Sequence, residues 1–162
     1  MTNIVVNETA SFVSLKLNAS GTFGTAALAF AAGESANIMT VPALQDVTIQ
    51  ATPGTFSWEQ LDQLAQQIVT TPSTNSISLN AVLDTVSFFT GVGGTAGVWD
   101  ITNGKTKVYF RLHMNGTSTD DYYVEGEGYL SGLAPTVSPT APVWVTPLEI
   151  LVDGSYVQAQ SA

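Results

Sequence analysis

Apolar and polar residues alternate along much of this chain, the pattern of β-strands that bury one face. Residues 12–19 put one set of side chains on each face, with Val13, Leu15, Leu17 and Ala19 alternating with Phe12, Ser14, Lys16 and Asn18. The alternation recurs over residues 76–84 and 122–130, and shorter strand patterns occupy 47–51, 143–146 and 148–152. The chain is therefore predicted to be mainly β, with Pro147 forcing an edge or a bulge between the last two strands.

One segment departs from the two-residue period and predicts an amphipathic α-helix over residues 57–69. Ser57 and Gln60 have the spacing of a capping box, in which the two side chains bond each other's backbone N–H groups. Apolar residues then recur at helical spacing at Trp58, Leu61, Leu64, Ala65 and Ile68. Such a helix is expected to pack across the sheet.

Glycine and proline mark three connections. Residues 87–97 predict a flexible Gly-rich loop, which lacks the Lys-Ser/Thr of a phosphate-binding loop. Asn103-Gly104 predicts a type I′ hairpin turn between strands at 98–102 and 105–112. Residues 132–142 are rich in Pro, Ser and Thr and predict an extended connection within a single domain spanning 1–162.

Charge excludes some classes of partner. The chain carries thirteen acidic and four basic side chains, a net charge of −9, and only 10% of its residues are charged. A surface that grips nucleic acid needs clustered Lys and Arg, so specific DNA or RNA binding is not expected. A surface so poor in charge predicts contact with other subunits, and its excess acid would repel a passing polyanion.

Candidate catalytic groups are few. There is no cysteine, and His113 stands without a second histidine to share a metal or a proton. Asp120-Asp121 indicates a polar loop tip, and Glu125 and Glu127 share a strand face without the signs of a glycosidase pair. We therefore predict no catalytic residue, no cofactor, no metal and no enzyme activity.

The chain start lacks the basic and long apolar regions of a signal peptide. The apolar run 26–32 is shorter than the roughly 20 residues that span a bilayer. We expect a soluble protein made without export and without membrane association.

The elements from residue 56 to residue 154, taken in order, resemble a tailed-bacteriophage major tail tube protein. The resemblance rests on this series: helix 57–69, strand 76–84, the Gly-rich loop, the paired segments around Asn103-Gly104, Tyr123–Ser131 and the closing run Thr146–Gly154. It implies an antiparallel β-sandwich or partial barrel with one flanking helix. It also implies subunits that form rings, commonly hexameric, which stack into a tube and let DNA pass without specific binding.

The resemblance also implies a location in the virion, a set of partners and candidate functional residues. It implies a virion tail protein that waits in the host cytoplasm before assembly and contacts other tail proteins. Glu125 and Glu127 are predicted to face the lumen. Ring-to-ring contact, ordered on assembly, is predicted for the loop residues Phe88, Phe89, Gly91, Gly93 and Gly94.

Two alternatives remain open. A capsid decoration or tail-terminator protein would share the β-rich, cysteine-free texture but form closed small oligomers. A carbohydrate-binding β-sandwich would stack Trp99, Trp144 or tyrosines on sugar rings. Trp99 opposite Val108, and Trp144 between valines, are expected in the core, which disfavours the sugar binder.

Overall fold

The computed structural model describes residues 13–19, 30, 37–41, 44–59, 65–92, 94–114, 122–138 and 141–160. The strands in these ranges are β1 (Ser14–Asn18), β2 (Met39–Val41), β3 (Leu44–Trp58), β4 (Gln67–Val82), β5 (Lys107–His113), β6 (Tyr122–Ser131), β7 (Thr136–Ser138), β8 (Ala141–Val152) and β9 (Val157–Gln160). Two short helical elements lie between β4 and β5: a π-helical turn, π1 (Val86–Thr90), and an α-helix, α1 (Val98–Asn103).

The described strands form one antiparallel sheet in the order β2-β1-β5-β6-β8-β4-β3. β7 extends the sheet beside the first half of β8, and β9 pairs with the first half of β6. β2 and β3 lie at opposite ends of this order, so the sheet stays open and does not close into a barrel. The predicted class, mainly antiparallel β, is confirmed, and its architecture is a single open sheet.

The core lies on one face of this sheet. Alternate residues of the central strands point to it, and π1 and α1 cover it with Phe88, Val98 and Ile101. The buried strand residues on this face are Leu15, Leu17, Met39, Val41, Ile77, Leu79, Ala81, Val108, Phe110, Leu112, Leu130, Leu148 and Ile150. Burying each large apolar side chain is worth about 1.5–3 kcal/mol, so this face drives folding.

The helix predicted over residues 57–69 is wrong. Ser57 and Trp58 belong to β3, and residues 67–69 belong to β4, where Phe56 pairs with Val69 and Trp58 with Gln67. Residues 60–64 of the predicted helix lie outside the described residues. The reason is a run of four β-branched residues, 68–71, which favours strand and opposes the helical period.

The hairpin predicted at Asn103-Gly104 is also wrong, because residues 98–103 form α1. Val98 and Ile101 are buried three residues apart, which is helical spacing. The left-handed position that ends the helix falls on Lys105 (φ 51°), and the N–H of Thr106 donates to the carbonyl of Ile101 at 3.0 Å. This bond closes a Schellman motif, for which glycine is the usual left-handed residue.

β8 is one continuous strand in place of the two predicted around Pro147. Pro147 pairs with Asn80 of β4, and on its other side it lies between the segments of β8 that pair with β7 and β6. The missing N–H therefore disturbs no strand partner. The predicted Pro-rich connection 132–142 contains β7 and the first residues of β8, and residues 139–140 lie outside the described residues.

Candidate functional site

A long hairpin of β3 and β4 extends past the rest of the sheet. β8 pairs with β4 over residues 76–82, whereas residues 51–58 and 67–75 pair with each other. We call these two segments the arm. Its nine residues on β4 extend the sheet by about 30 Å at 3.3 Å per residue. A bulge falls between Thr52 and Gly54, where a Cβ on Gly54 would lie 2.6 Å from the carbonyl oxygen of Pro72.

Apolar side chains are exposed on the arm. Opposite residues of an antiparallel pair share a face, so Phe56, Trp58 and Val69 lie together. The rings of Phe56 and Trp58 stack with centroids 5.9 Å apart, and Phe56 is 60% exposed. No residue of the arm is charged. Acidic residues, Glu59 and Asp62, occur only in the connection between the two strands. Exposed apolar side chains grouped in this way are suited to contact with another chain.

The chain segment after β8 is hydrogen-bonded to the base of the arm. The hydroxyl of Tyr156 lies 2.8 Å from the carbonyl oxygen of Gln50 and 2.7 Å from that of Ser76, and burial raises the pKa of this phenol. Asn75 Nδ2 donates to the carbonyl of Gly154 at 2.8 Å. These bonds fix the direction of the arm relative to the sheet.

β3 is the long edge of the sheet. It runs for 15 residues, and among the described residues no strand pairs with its outer side. Proteins often protect such edges with inward-pointing charges or lysines. β3 carries Asp46 as its one charged residue, and this carboxylate accepts a hydrogen bond from Asn80 at 2.8 Å. The edge therefore offers free backbone groups to another strand.

The sheet face opposite the core, which we call the polar face, carries the two predicted lumen residues. Glu125 is 1% exposed, and its Oε2 accepts hydrogen bonds from Arg111 Nη2 at 2.7 Å and Nε at 2.9 Å. The guanidinium also lies 4.2 Å from the ring centroid of Tyr123 and 4.7 Å from that of Phe30. Glu125 is therefore part of a buried ion pair, and its charge is matched within the chain.

Glu127 lies on the same face, with its side chain 21% exposed. Lys107 Nζ lies 2.9 Å from Glu127 Oε1 and 2.7 Å from Asp153 Oδ2. The hydrogen bonds to Asp153 and then Glu127 raise the pKa of Lys107 well above its ordinary value. The position of Glu125 and Glu127 in a lumen stays a prediction, and each carries an ion pair in the free chain. His113 lies buried near Tyr123, with ring centroids 5.7 Å apart.

The Gly-rich segment predicted as a loop has a defined backbone. Residues 86–90 form π1, and Gly91 ends it with φ 81°, a conformation that favours glycine. An isolated bridge joins Val92 to Thr95, and Gly94 also has positive φ. Gly93 lies outside the described residues. Contact between this segment and a neighbouring ring stays a prediction.

An aromatic cleft of about 360 Å³ opens beside π1. Its walls include Asp84, Phe88, Phe89, Trp99, Pro135 and Trp144. The rings of Phe88 and Phe89 meet edge-to-face at 4.9 Å, and Trp99 lies 6.0 Å from Phe88 and 6.4 Å from Phe89. Trp99 and Trp144 are 39% and 53% exposed, so the expectation that they lie in the core is wrong.

Asp84 lies at the wall of this aromatic cleft. Its Oδ1 accepts hydrogen bonds from the backbone N–H groups of Val86 and Ser87, both at 2.9 Å, which starts π1. Within the described residues, its buried Oδ2 has no hydrogen-bond donor. The cleft therefore combines aromatic walls with one acidic residue, whose carboxylate is held by the backbone of π1.

Sequence reasoning assigned neither the arm nor the cleft. The arm could have been found from its β-branched run and from the alternation of Phe56 and Trp58 with polar residues. The cleft had no such signal, because Trp99 and Trp144 come from different elements that meet through the sheet.

The described residues hold no cluster of three or more His, Cys, Asp or Glu side chains that could bind a metal ion. Among the same residues, no helix has the length and apolar character needed to cross a membrane.

No protein-family model and no curated protein matches this chain. Solved structures do. One is a chain from the tail of an empty gene transfer agent (GTA) particle, obtained by helical refinement with C6 symmetry. It superposes with a TM-score of 0.59 and 12% identity over 96% of this chain and 99% of its own length.

The chain has the fold of a GTA tail chain. A second match, from the virion of a native GTA particle, has a TM-score of 0.51 and 12% identity over 75% of this chain and 88% of that one. These matches confirm the resemblance to phage tail tube proteins at the level of a mainly β fold, without the helix that was expected over residues 57–69. The first match runs along almost the full length of both chains.

Proposed function

We propose that this protein is a structural subunit of a phage-like tail tube, which assembles into stacked rings and forms a conduit for DNA. The observation that carries the proposal is the match, over nearly the whole of both chains, to a tail chain arranged with C6 symmetry. By this likeness the ring of our chain has six members. The protein acts by assembly and has no catalytic role.

The edge strand β3 supplies the means of ring formation. Its 15 residues offer backbone groups that pair with a strand of the neighbouring copy. Contact between two different edges is heterologous, and such a contact closes into a ring when the rotation between copies is a whole fraction of a turn. A ring built in this way leaves no free edge.

The polar face of the sheet faces the lumen in this proposal. Besides Glu125 and Glu127 it carries Asp46 and Glu149, paired across the sheet with the polar residues Asn80 and Ser78. Three of the four basic residues of the chain lie on this face too: Lys107 and Arg111 are held in ion pairs, and Lys16 lies opposite Arg111. The four acidic residues still outnumber the three basic ones, so we expect DNA to slide past the wall without adhering.

A carbohydrate-binding module is the second candidate function. The observation in its favour is the exposure of Trp99 and Trp144 in a cleft that also holds Asp84. Sugar rings stack on exposed aromatic faces and donate hydroxyl hydrogens to carboxylates. A capsid decoration or tail-terminator role differs from the main proposal in forming closed small oligomers.

Electron microscopy of the concentrated protein tests the proposal. Hollow tubes or stacked rings with a regular axial repeat are expected for the wild type. Thr48→Lys puts a charge on the edge strand and should prevent rings. Ser78→Lys is the matched control, because Ser78 lies directly opposite Thr48 on the same face of the inner strand β4. Closed small oligomers, or equal assembly of both variants, would contradict the proposal.

A further inference from the structure

The aromatic cleft beside π1 has the dimensions of a small-molecule site. Its volume of about 360 Å³ lies at the lower end of the range for such sites, about 300–1,000 Å³. Three elements bring exposed rings to its walls: Phe89 from π1, Trp99 from α1 and Trp144 from β8 are 55%, 39% and 53% exposed. The N–H of Leu83 donates to the carbonyl of Trp144 at 2.9 Å, which joins β8 to the segment that leads into π1. Large parts of the three rings are therefore accessible to a ligand.

The cleft offers few acceptors for hydrogen bonds from a ligand. Of the described residues that line it, only Asp84 and Thr85 have side-chain oxygens. Oδ1 of Asp84 already accepts two backbone N–H groups, and Oδ2 is buried. A sugar would leave most of its hydroxyl groups without a side-chain acceptor, at a cost in desolvation. The cleft therefore favours a ligand that needs no hydrogen bonds.

Charge indicates the class of that ligand. Burial raises the pKa of Asp84, but hydrogen bonds from Ser87 and Val86 outweigh burial, so the carboxylate is ionised at neutral pH. None of the described residues that line the cleft is basic. The faces of aromatic rings also attract cations that lie within about 6 Å of the ring centroid. Because charge acts without direct contact, the buried carboxylate and the three exposed rings together attract an organic cation.

We propose that the aromatic cleft binds a methylated ammonium group, such as that of choline. This group combines a positive charge with an apolar surface and has no N–H, so it needs no acceptor. A lysine ammonium or an arginine guanidinium would leave N–H donors without partners in the cleft. Free choline and a phosphatidylcholine headgroup both carry the proposed group. The proposal goes beyond the tail-tube function and does not depend on assembly.

Tryptophan fluorescence measures this binding. The chain has three tryptophans, and Trp58→Phe removes the one on the arm, so that Trp99 and Trp144 alone report on the cleft. The unassembled Trp58→Phe chain is titrated with choline chloride, with sodium chloride at equal ionic strength as the reference. We expect a saturable change with choline and, by competition, binding at least about tenfold weaker for dimethylbutanol, the neutral analogue with carbon in place of nitrogen. Equal affinities for choline and dimethylbutanol would overturn the proposal, because the cleft would then select shape alone.

Two ring deletions in the Trp58→Phe chain locate the site. Trp144→Ala removes a wall of the cleft, and we expect the response of Trp99 to choline to be lost. Phe56→Ala is the control, because it removes an equally exposed ring from the arm and should leave the response unchanged. Choline binding that survives Trp144→Ala, or that is lost in both variants, would overturn the proposal.

Asp84→Asn tests the contribution of charge. Asparagine keeps an acceptor for the two N–H groups that start π1, so the local fold is retained. We expect choline binding to weaken by about threefold to tenfold and the affinity for dimethylbutanol to stay the same. Asp46→Asn, which removes a carboxylate from the polar face, should change neither affinity. Equal weakening of both ligands in Asp84→Asn would mean that the residue shapes the cleft and does not attract the cation.

Vesicles and sugars complete the test. Phosphatidylcholine vesicles that pellet the chain and release it on addition of free choline would identify the lipid headgroup as the source. Choline binding without vesicle binding would identify a free ligand. We expect no response to a panel of neutral oligosaccharides, and a response to a sugar without one to choline would overturn the proposal and assign the cleft to a carbohydrate. Since these titrations use the unassembled chain, their failure leaves the tail-tube function standing.

Discussion

At the scale of single residues, the Arg111–Glu125 ion pair holds the polar face together. Glu125 is almost fully buried, and removing its partner leaves an uncompensated charge. We expect Arg111→Met to lower the free energy of unfolding by about 3–5 kcal/mol, and Arg111→Met/Glu125→Leu to recover most of that loss. Urea denaturation of the two variants measures both values.

Lys107→Met is the comparison for this prediction, because it removes a cation whose partners are more exposed, Asp153 at 56%. We expect a loss of about 0–1 kcal/mol, as for other solvent-accessible pairs. Equal losses in Arg111→Met and Lys107→Met would contradict the special role given to the buried pair.

The carboxyl group of Asp84, at the start of π1, makes the stability of the protein depend on pH. Burial raises the pKa of its carboxyl, but hydrogen bonds from Ser87 and Val86 outweigh burial and hold the pKa below the ordinary 3.8. The unfolded chain then binds the proton more readily, so this contribution to stability is present above the ordinary value and is lost as the pH falls below about 4. Acid titration of the unfolding free energy should show a smaller decline in Asp84→Asn than in the wild type. An identical loss of stability in acid for Asp84→Asn and the wild type would contradict this prediction.

Lys105 occupies a left-handed conformation (φ 51°) at the end of α1. A side chain costs about 1 kcal/mol in this region, and glycine avoids the cost. We expect Lys105→Gly to raise the melting temperature and the neighbouring Thr106→Gly to lower it. A lower melting temperature for Lys105→Gly would show that the side chain of Lys105 stabilises the turn.

At the scale of elements, the arm depends on one glycine. A Cβ on Gly54 would meet Thr71 and the backbone of Pro72, so the bulge cannot accept a side chain without moving. Because the arm lies outside the core, we expect Gly54→Val to abolish tube formation while the cooperative unfolding of the core persists. Thr55→Val, one residue away on a regular strand, should assemble normally. Electron microscopy and thermal unfolding of both variants check this, and normal tubes from Gly54→Val would contradict it.

The elements also show how far the sequence could predict this fold. Strands with one buried face, such as residues 77–81 of β4, can be predicted from the sequence. Burial of one face and exposure of the other require apolar and polar residues to alternate. The arm and α1 could not be predicted in the same way. In the arm both faces are exposed, so burial imposes no period. Asn103-Gly104 fits both a hairpin turn and a helix end, and the packing of Val98 and Ile101 on the core decides between them.

The candidate site was less predictable than the fold for a related reason. The sequence indicated the residues Phe88, Phe89, Glu125 and Glu127, but it could not indicate their neighbours. Arg111 reaches Glu125 only because β5 and β6 pair in one register, and Trp144 reaches the cleft only through β8. Contacts between distant segments depend on register, which no local pattern contains.

At the scale of the whole molecule, the charge of the polar face determines whether DNA adheres to the wall of the assembled tube. Glu149 is the best probe, since it lies on the inner strand β8, opposite Ser78 and Ser131, and away from the ion pairs of Glu125 and Glu127. Glu149→Lys places a cation on this face in every subunit. We expect tubes of this variant to retain short DNA at low salt and release it as salt rises, because phosphate contacts displace counterions.

Asp100→Lys makes the same change in net charge on α1, which lies on the core side of the sheet. Tubes of this control should retain no more DNA than the wild type. Retention by both variants would mean that total charge governs adhesion, and retention by Asp100→Lys alone would mean that the core side faces the lumen. A difference confined to Glu149→Lys would therefore identify the polar face as the wall along which DNA moves, since only a charge lining the passage can hold what passes through it.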